Sequence, residues 1–214
     1  VSYGNLGPFK PETTKAWEIG LKSEWFERRL VLNLAGFWND YDRLQVSSYR
    51  SYSGGTLLVA IGNDAFENAR GVELQATAIP IDNLTLAASI GYLDAHYTNF
   101  FTDLFGVGAP ADFSYLHPDH SPQWTMRFNA AYTIDLGSAG TLTPDIDWSY
   151  QSSSYTDLKN SIQGFNNGYG LLSANLLYED PTGHWQLSLY GKNLTDKLYK
   201  LSAVPVAGLF TPIF

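Results

Sequence analysis

Residues 70–92 read RGVELQATAIPIDNLTLAASIGY. Val72, Leu74, Ala76 and Ala78 alternate with Glu73, Gln75 and Thr77. After Pro80–Asn83, Leu84, Leu86, Ala88, Ile90 and Tyr92 alternate with Thr85, Ala87, Ser89 and Gly91. A period of two on both sides of a short Pro/Asp/Asn segment predicts an antiparallel hairpin with one apolar face and one polar face. Gly71, inside the first strand, predicts a bend or a close approach of another group.

The same pattern recurs along the chain. Upstream, Trp17, Ile19, Leu21 and Trp25 oppose Glu18, Gly20, Lys22 and Glu24, and Leu30, Leu32, Leu34 and Trp38 oppose Asn33 and Asn39. Downstream, Met126, Phe128, Ala130, Tyr132 and Ile134 oppose Arg127, Asn129 and Thr133. Leu142, Ile146, Trp148 and Tyr150 oppose Thr143, Asp145, Asp147 and Gln151. Leu172, Ala174, Leu176 and Tyr178 share a face, and Trp185, Leu187 and Leu189 oppose Gln186, Ser188, Tyr190 and Lys192. This predicts about eight strands, each near the ~9–11 residues that a tilted membrane-spanning strand needs.

The connections alternate in length. Phe26–Arg28, Pro80–Asn83, Gly137–Gly140 and Pro181–His184 are tight, whereas Ser47–Thr56, Asn99–Gln123 and Ser152–Asn167 are long and polar. Outer-membrane barrels sort their turns in this way, short on the periplasmic side and long outside. The aromatics agree. Trp25, Tyr178 and Trp185 flank tight turns, and Trp38, Tyr92, Trp124, Trp148 and Tyr150 lie toward the opposite strand ends, as two interfacial belts require. The fold expected is all-β, a transmembrane antiparallel up-and-down barrel. A soluble β-barrel binding domain has the same alternation with its polar face outward, and stays open at this point.

Composition narrows the chemistry. The 214 residues carry a net charge of -8, which argues against a nucleic-acid partner. Cysteine is absent, so thiolate metal sites, disulfides and Cys nucleophiles are excluded. No Ser-His-Asp arrangement or phosphate-cradling glycine loop stands out, and no enzyme activity or cofactor is expected. The His117–His120 stretch, HPDH, invites a metal reading, but Pro118 stiffens it and no helical spacing brings the rings together; no metal site is assigned. Strand parity predicts that the chain starts and ends on the long-loop side, with at least one strand missing at each end. The Pro-containing tail SAVPVAGLFTPIF, residues 202–214, reads as a loop.

Five stretches resemble the C-terminal barrel region of TonB-dependent outer-membrane receptors: PETTKAWEIGLKSEW (11–25), RLVLNLAGFWNDYDRLQV (29–46), NARGVELQATAIPIDNLTLAASIGYLDAHYTNF (68–100), SPQWTMRFNAAYT (121–133) and GKNLTDKLY (191–199). They cover most of the chain in family order. The resemblance implies that residues 1–214 are a partial C-terminal barrel of about eight strands from a barrel of about 22. A plug domain, earlier strands and a closing strand then lie outside this chain. It implies a bacterial outer-membrane location, lipid and the TonB energy-coupling system as partners, and active import of a scarce bulky ligand, with a ferric siderophore leading. A passive porin is the main rival.

Two sets of site residues follow. The middle long loop and its approach offer aromatic and polar side chains suited to a bulky ligand: Tyr97, Phe101, Asp103, Tyr115, His117 and His120. On the polar strand face, Glu18, Lys22, Glu73, Arg127, Asp145 and Asp147 are candidates to face the lumen and a plug.

Overall fold

The computed structural model describes residues 9–51, 57–105 and 109–203. Its strands in chain order are β1 (Thr13–Trp25), β2 (Leu30–Ser51), β3 (Leu57–Ala78), β4 (Leu84–Thr102), β5 (Ala111–Asp112), β6 (Trp124–Tyr132), β7 (Ile134–Asp135), β8 (Thr141–Gln151), β9 (Ser154–Tyr155), β10 (Phe165–Asn166), β11 (Tyr169–Glu179) and β12 (Gln186–Gly191). The long strands form one antiparallel sheet in the order β1-β2-β3-β4-β6-β8-β11-β12. Among the long strands, each pairs with the one before it and the one after it, and the short β5 and β7 add to β4 and β8. No helix among the described residues is long and apolar enough to cross a membrane.

Register aligns the apolar residues of all eight long strands on one face. Leu21 lies opposite Leu34, Leu34 opposite Leu74, Leu74 opposite Ile90, and Ile90 opposite Met126. The row continues from Met126 to Tyr150. Further down, Ala88 meets Phe128, Phe128 meets Trp148, and Trp148 meets Leu172. A one-residue slip of any strand would move its apolar set to the wrong side, so the alternation itself fixes the pairing. No described residue packs over this face: Ile19 is 80% exposed and Leu189 74%. A soluble sheet would bury such rows against a second layer. A bilayer supplies that layer here, since lipid-facing apolar residues alternate with lumen-facing polar ones along each spanning strand.

The aromatic belts are physical contacts as well as positions. Tyr92 and Trp124 have ring centroids 4.9 Å apart, Trp148 and Tyr150 5.9 Å, and Tyr178 and Trp185, at the tight-turn end, 5.1 Å. Trp17 stands opposite Trp38, and the Arg70 guanidinium lies 5.4 Å from the Trp38 ring centre.

The tight turns are built from left-handed residues. Phe26, Glu27 and Arg28 have φ of 53°, 57° and 69°, and Asn83 has 67°. Arg29 donates to Asp82, and Ile79 N–H donates to the Arg29 carbonyl at 2.7 Å, joining the first two turns. Gly140 has φ 92°, and a Cβ there would fall 2.1 Å from the Glu179 carbonyl oxygen. In the last turn Asp180 accepts from Thr182 and from Trp185 N–H at 2.9 Å, bonds that hold its carboxyl below the usual range. Gly71 meets the expectation of close approach. Phe37 lies across it, and an added Cβ would sit 2.7 Å from the Phe37 ring and 2.2 Å from the Tyr92 carbonyl oxygen.

Two boundaries differ from the sequence reading. The loop expected at Ser47–Thr56 is strand as far as Ser51, and β3 starts at Leu57. The loop expected from Asn99 starts only after Thr102. Trp38 is therefore not near a strand end; β2 runs 13 residues past it. The reason is a set of bulges just above the belt, at Tyr41/Leu44, Leu44/Gln45 and Phe66/Glu67, with Arg43 at φ 60°. Extra residues break strict alternation without ending the ladder. The loop expected at Ser152–Asn167 also holds a short ladder between β9 and β10. The loop expected over most of the 202–214 tail lies outside the described residues.

At the other end of the chain, β12 stops at Gly191, and Leu194 N–H continues the ladder by donating to the Leu172 carbonyl at 2.8 Å. Asn193 then caps Lys197 from both side-chain atoms, and Tyr199 stacks on Tyr169 at 4.7 Å. The polar cluster 192–197 is thus a hydrogen-bonded turn at the long-loop end of the sheet.

Candidate functional site

Above the belt, β2, β3 and β4 form a pedestal, and the chain after Thr102 folds back against it. Val46, Ala65, Tyr97, Phe100, Leu104, Phe113 and Leu116 make one buried cluster, with Leu44 and Leu158 packed on its edge. Phe100 and Ala65 face each other and have no exposed surface. Tyr97 and Phe113 flank the Phe100 ring at 4.9 and 6.2 Å. This is the main apolar core of the described residues, and it belongs to the long-loop end of the sheet rather than to its exposed apolar rows.

Polar groups tie the fold-back down. The Asp64 carboxylate accepts from Ser48 Oγ at 3.1 Å and Thr102 Oγ1 at 2.8 Å. Ser114 Oγ accepts from Phe100 N–H at 2.9 Å and donates to Asp112 at 2.6 Å. Asp112 also accepts from Ser114 N–H, and these bonds lower its pKa. Within 152–167, Asp157 organises a turn by accepting from Lys159 N–H and from Ser161 N–H and Oγ. Asn160 then clasps the neighbouring loop, accepting from His117 N–H at 2.7 Å and donating to its carbonyl at 2.9 Å.

The predicted loop residues divide into two groups. Tyr97 and Asp103 are 6% and 5% exposed and belong to the buried pedestal. Phe101 and Tyr115 are 57% and 72% exposed. His117 is exposed and stacks parallel to Tyr155, with centroids 6.1 Å apart. His120 hydrogen-bonds to Asp119 at 3.2 Å and approaches the Leu201 carbonyl at 3.3 Å. The two imidazoles thus have different partners, and no group of three metal-ligating side chains converges among the described residues.

Phe105, 49% exposed, extends the exposed rim. It packs edge-on to the buried Phe113 at 5.4 Å, Phe113 contacts Tyr115 at 6.2 Å, and the Lys159 ammonium lies 5.3 Å from the Phe105 ring centre. Lys159, Asn160 and Tyr155 were not singled out from sequence, although the Asp157–Ser161 run DLKNS carries the Asp, Asn and Ser that favour such turns.

Glu67 faces the fold-back from β3. Its burial, helped by the charge of Asp119, pushes its carboxyl up to about 7. The same surroundings raise the Tyr97 phenol. Protonated Glu67 is compatible with the docked loop, while the ionised form is penalised. Docking is therefore strongest below the ordinary glutamate range of about 4.5, weakens as pH rises through about 7, and levels off above it. Partial exposure of Glu67 limits the size of the effect. The amide protection factor across residues 113–120, exchange being taken relative to the intrinsic rate at each pH, should fall about tenfold between pH 5 and pH 8, and Glu67→Gln should flatten that dependence. An unchanged pH profile in the Gln variant would refute the assignment.

Lower on the polar sheet face, Arg127 Nε meets Asp147 at 2.6 Å and Asn129 meets Asp145 at 2.8 Å. With Gln75, Thr77 and Ser89 alongside Arg127 and Asn129, they form one polar patch across β3, β4, β6 and β8. Glu73 lies on the same face opposite Ala35 and Gly91. Glu18 and Lys22 stand on β1, away from that patch, opposite Phe37 and Asn33.

Comparison with known proteins adds to this geometry. The family model described as "TonB dependent receptor-like, beta-barrel" matches residues 1–194. The ferrichrome outer membrane transporter/phage receptor of Escherichia coli (strain K12) is 27% identical over 211 residues, which is 97% of this chain and 25% of that protein. Among solved structures, the ferric yersiniabactin uptake receptor of Yersinia pestis superposes with a TM-score of 0.71 at 20% identity, over 94% of this chain and 28% of its own. A copper transporter superposes with a TM-score of 0.66 at 19% identity, over 97% and 30%. The chain thus spans about a quarter of the curated relative.

Proposed function

Because the chain belongs to the TonB-dependent receptor β-barrel family, a family of bacterial outer-membrane transport receptors rather than enzymes, we propose that it is the C-terminal barrel region of a receptor that imports a ferric siderophore with TonB-coupled energy. The observation that carries the ligand class is the similarity along nearly the whole chain to a ferrichrome transporter. The loop architecture supports it. A rigid, separately cored pedestal holds Phe101, Phe105, Tyr115 and His117 at an exposed rim, and rigid aromatic groups beside a lysine suit a bulky, partly apolar, negatively charged or neutral chelate.

The polar patch of Arg127, Asp145 and Asp147, with Glu73, Glu18 and Lys22 on the same face, is then the wall against which a plug domain rests. Displacement of that plug by inner-membrane energy admits the ligand, whose size requires a wide barrel.

The test is uptake of radioactive iron supplied as a hydroxamate siderophore by cells whose only receptor is the full-length protein. Uptake should stop when the proton-motive force is collapsed, while surface binding persists. The double variant Phe101→Ala/Tyr115→Ala should weaken binding about tenfold or more. A passive porin would give uptake indifferent to the proton-motive force and a large steady conductance in a planar bilayer; that result would overturn the reading.

A further inference from the structure

The segment 152–167 is fastened to two others by one device used twice. Asn160 accepts from His117 N–H at 2.7 Å and donates to the His117 carbonyl at 2.9 Å. Asn166 accepts from Lys200 N–H at 2.9 Å and donates to the Lys200 carbonyl at 2.6 Å. Each side-chain amide therefore engages both backbone groups of a single residue, as a hydrogen-bonded partner in an antiparallel ladder does. A carboxamide suits this because it carries a donor and an acceptor side by side. The clasped residues lie 43 and 34 positions away in sequence. Asn166 is 6% exposed, and the Lys200 backbone supplies the partners that a buried amide needs.

Further contacts close the arrangement. Tyr155 stacks on His117 and touches Phe165, with centroids 5.1 Å apart. His120 N–H donates to the Tyr155 carbonyl, and Lys200 Nζ donates to the Phe165 carbonyl, both at 2.8 Å. His120 Nε2 lies 3.3 Å from the Leu201 carbonyl, so the two fastened segments also meet each other. The stretches 117–120, 152–167 and 199–201 thus form a closed triangle. Its hub is braced from inside. Asp157, 6% exposed, holds Lys159 N–H and Ser161, while Thr156 N–H and Oγ1 donate to the Gly164 carbonyl at 2.9 and 3.0 Å. A Cβ on Gly164 would collide with the Asp157 carboxylate. Leu158 packs on the pedestal core.

We propose that residues 152–167 are a keystone that locks the middle loop and the segment after β12 into one cap, which opens as a single cooperative unit. Loops resting separately on the pedestal would each open with a free energy of their own. In the triangle, releasing His117 from Asn160 leaves it tied through Tyr155 and through His120 to Leu201, so no corner comes free until the others do. The consequence is communication across the mouth. Whatever immobilises His117 or its neighbour Tyr115 also orders 199–201 without touching it, because the ordering cost of the shared unit is met once. This holds whichever nutrient the receptor carries.

The test is hydrogen exchange of the full-length receptor in detergent micelles. Asn→Asp keeps the size of the side chain but removes its donor and sets a carboxylate against the clasped carbonyl. Asn166→Asp touches nothing in the middle loop. It should nevertheless lower the protection of 115–120 about fivefold or more, by the same factor as at 199–201. Asn160→Asp should loosen 199–201 together with 115–120 in the same way. Gly164→Ala, which evicts Asp157 from the hub and alters neither asparagine, should loosen both arms together. Unchanged protection of residues 84–92 in the spanning ladder shows that each variant is folded. The proposal falls if either asparagine variant loosens only the arm it touches, loosens the two arms by clearly different factors, or loosens neither.

Discussion

Phe100→Ala should cost about 3–5 kcal/mol of stability in the extracellular pedestal, the range for removing a large aromatic from a closed core. Phe100 has no exposed surface, contacts Tyr97 and Phe113, and opposes the fully buried Ala65. The space left cannot fill by sliding of the backbone, because Phe100 is held on both sides. β3 pairs with it on one, and Ser114 Oγ and Phe113 N–H bond to its backbone at 2.9 and 2.7 Å on the other. The loss should appear as local opening, with the spanning ladder intact. Amides of 99–105 and 109–118 should exchange a hundredfold or more faster, by about the factor that the free-energy range implies. Phe101→Ala, one position along and 57% exposed, should cost under about 0.5 kcal/mol. Equal damage from the two substitutions would disprove the inward facing of Phe100.

Ala88→Arg should destabilise the barrel by about 2–4 kcal/mol, the cost of a cation on the lipid face near the bilayer midplane. Ala88 lies in the row Ala76, Ala88, Phe128, Trp148, midway between the Tyr92–Trp124 pair and the tight turn at Pro80–Asn83. Ser89→Arg places the same side chain on the other face, opposite Arg127 and Gln75. Like charges directly opposite cost less than about 1 kcal/mol in a hydrated setting, and Asp147, already paired with Arg127, is close by. Urea unfolding of the refolded full-length protein in vesicles compares the two. A larger penalty at Ser89 than at Ala88 would mean that the sheet is inside out.

The spanning part of this fold was legible because one pattern controls it. Trp17 against Trp38, Leu34 against Leu74 and Ile90 against Met126 are pairings that alternation alone requires once the hairpins are recognised. The pedestal was harder to read. Above the belt the bulges at Tyr41–Gln45 and Phe66–Glu67 shift the parity, so a strand that continues looks like a strand that ends. The same shift hid the fate of Tyr97 and Asp103. As polar or amphipathic residues beside a long loop they read as ligand-facing, yet the fold-back of Leu104, Phe113 and Leu116 encloses them. Phe101, Tyr115, His117 and His120 kept their exposure. Contacts such as Asn160 with His117 join two loops separated by 43 residues, and no local signal encodes them.

The neighbour-only order of the long strands makes the spanning sheet a one-dimensional object. Each seam is formed by two segments that leave the translation machinery consecutively, so closing it carries little loop entropy and needs no distant segment to be in place first. A cut between β8 and β11 divides one seam between two pieces and leaves every other seam within a single piece. Two such pieces made in the same cell keep every long-strand border within one piece except that shared one.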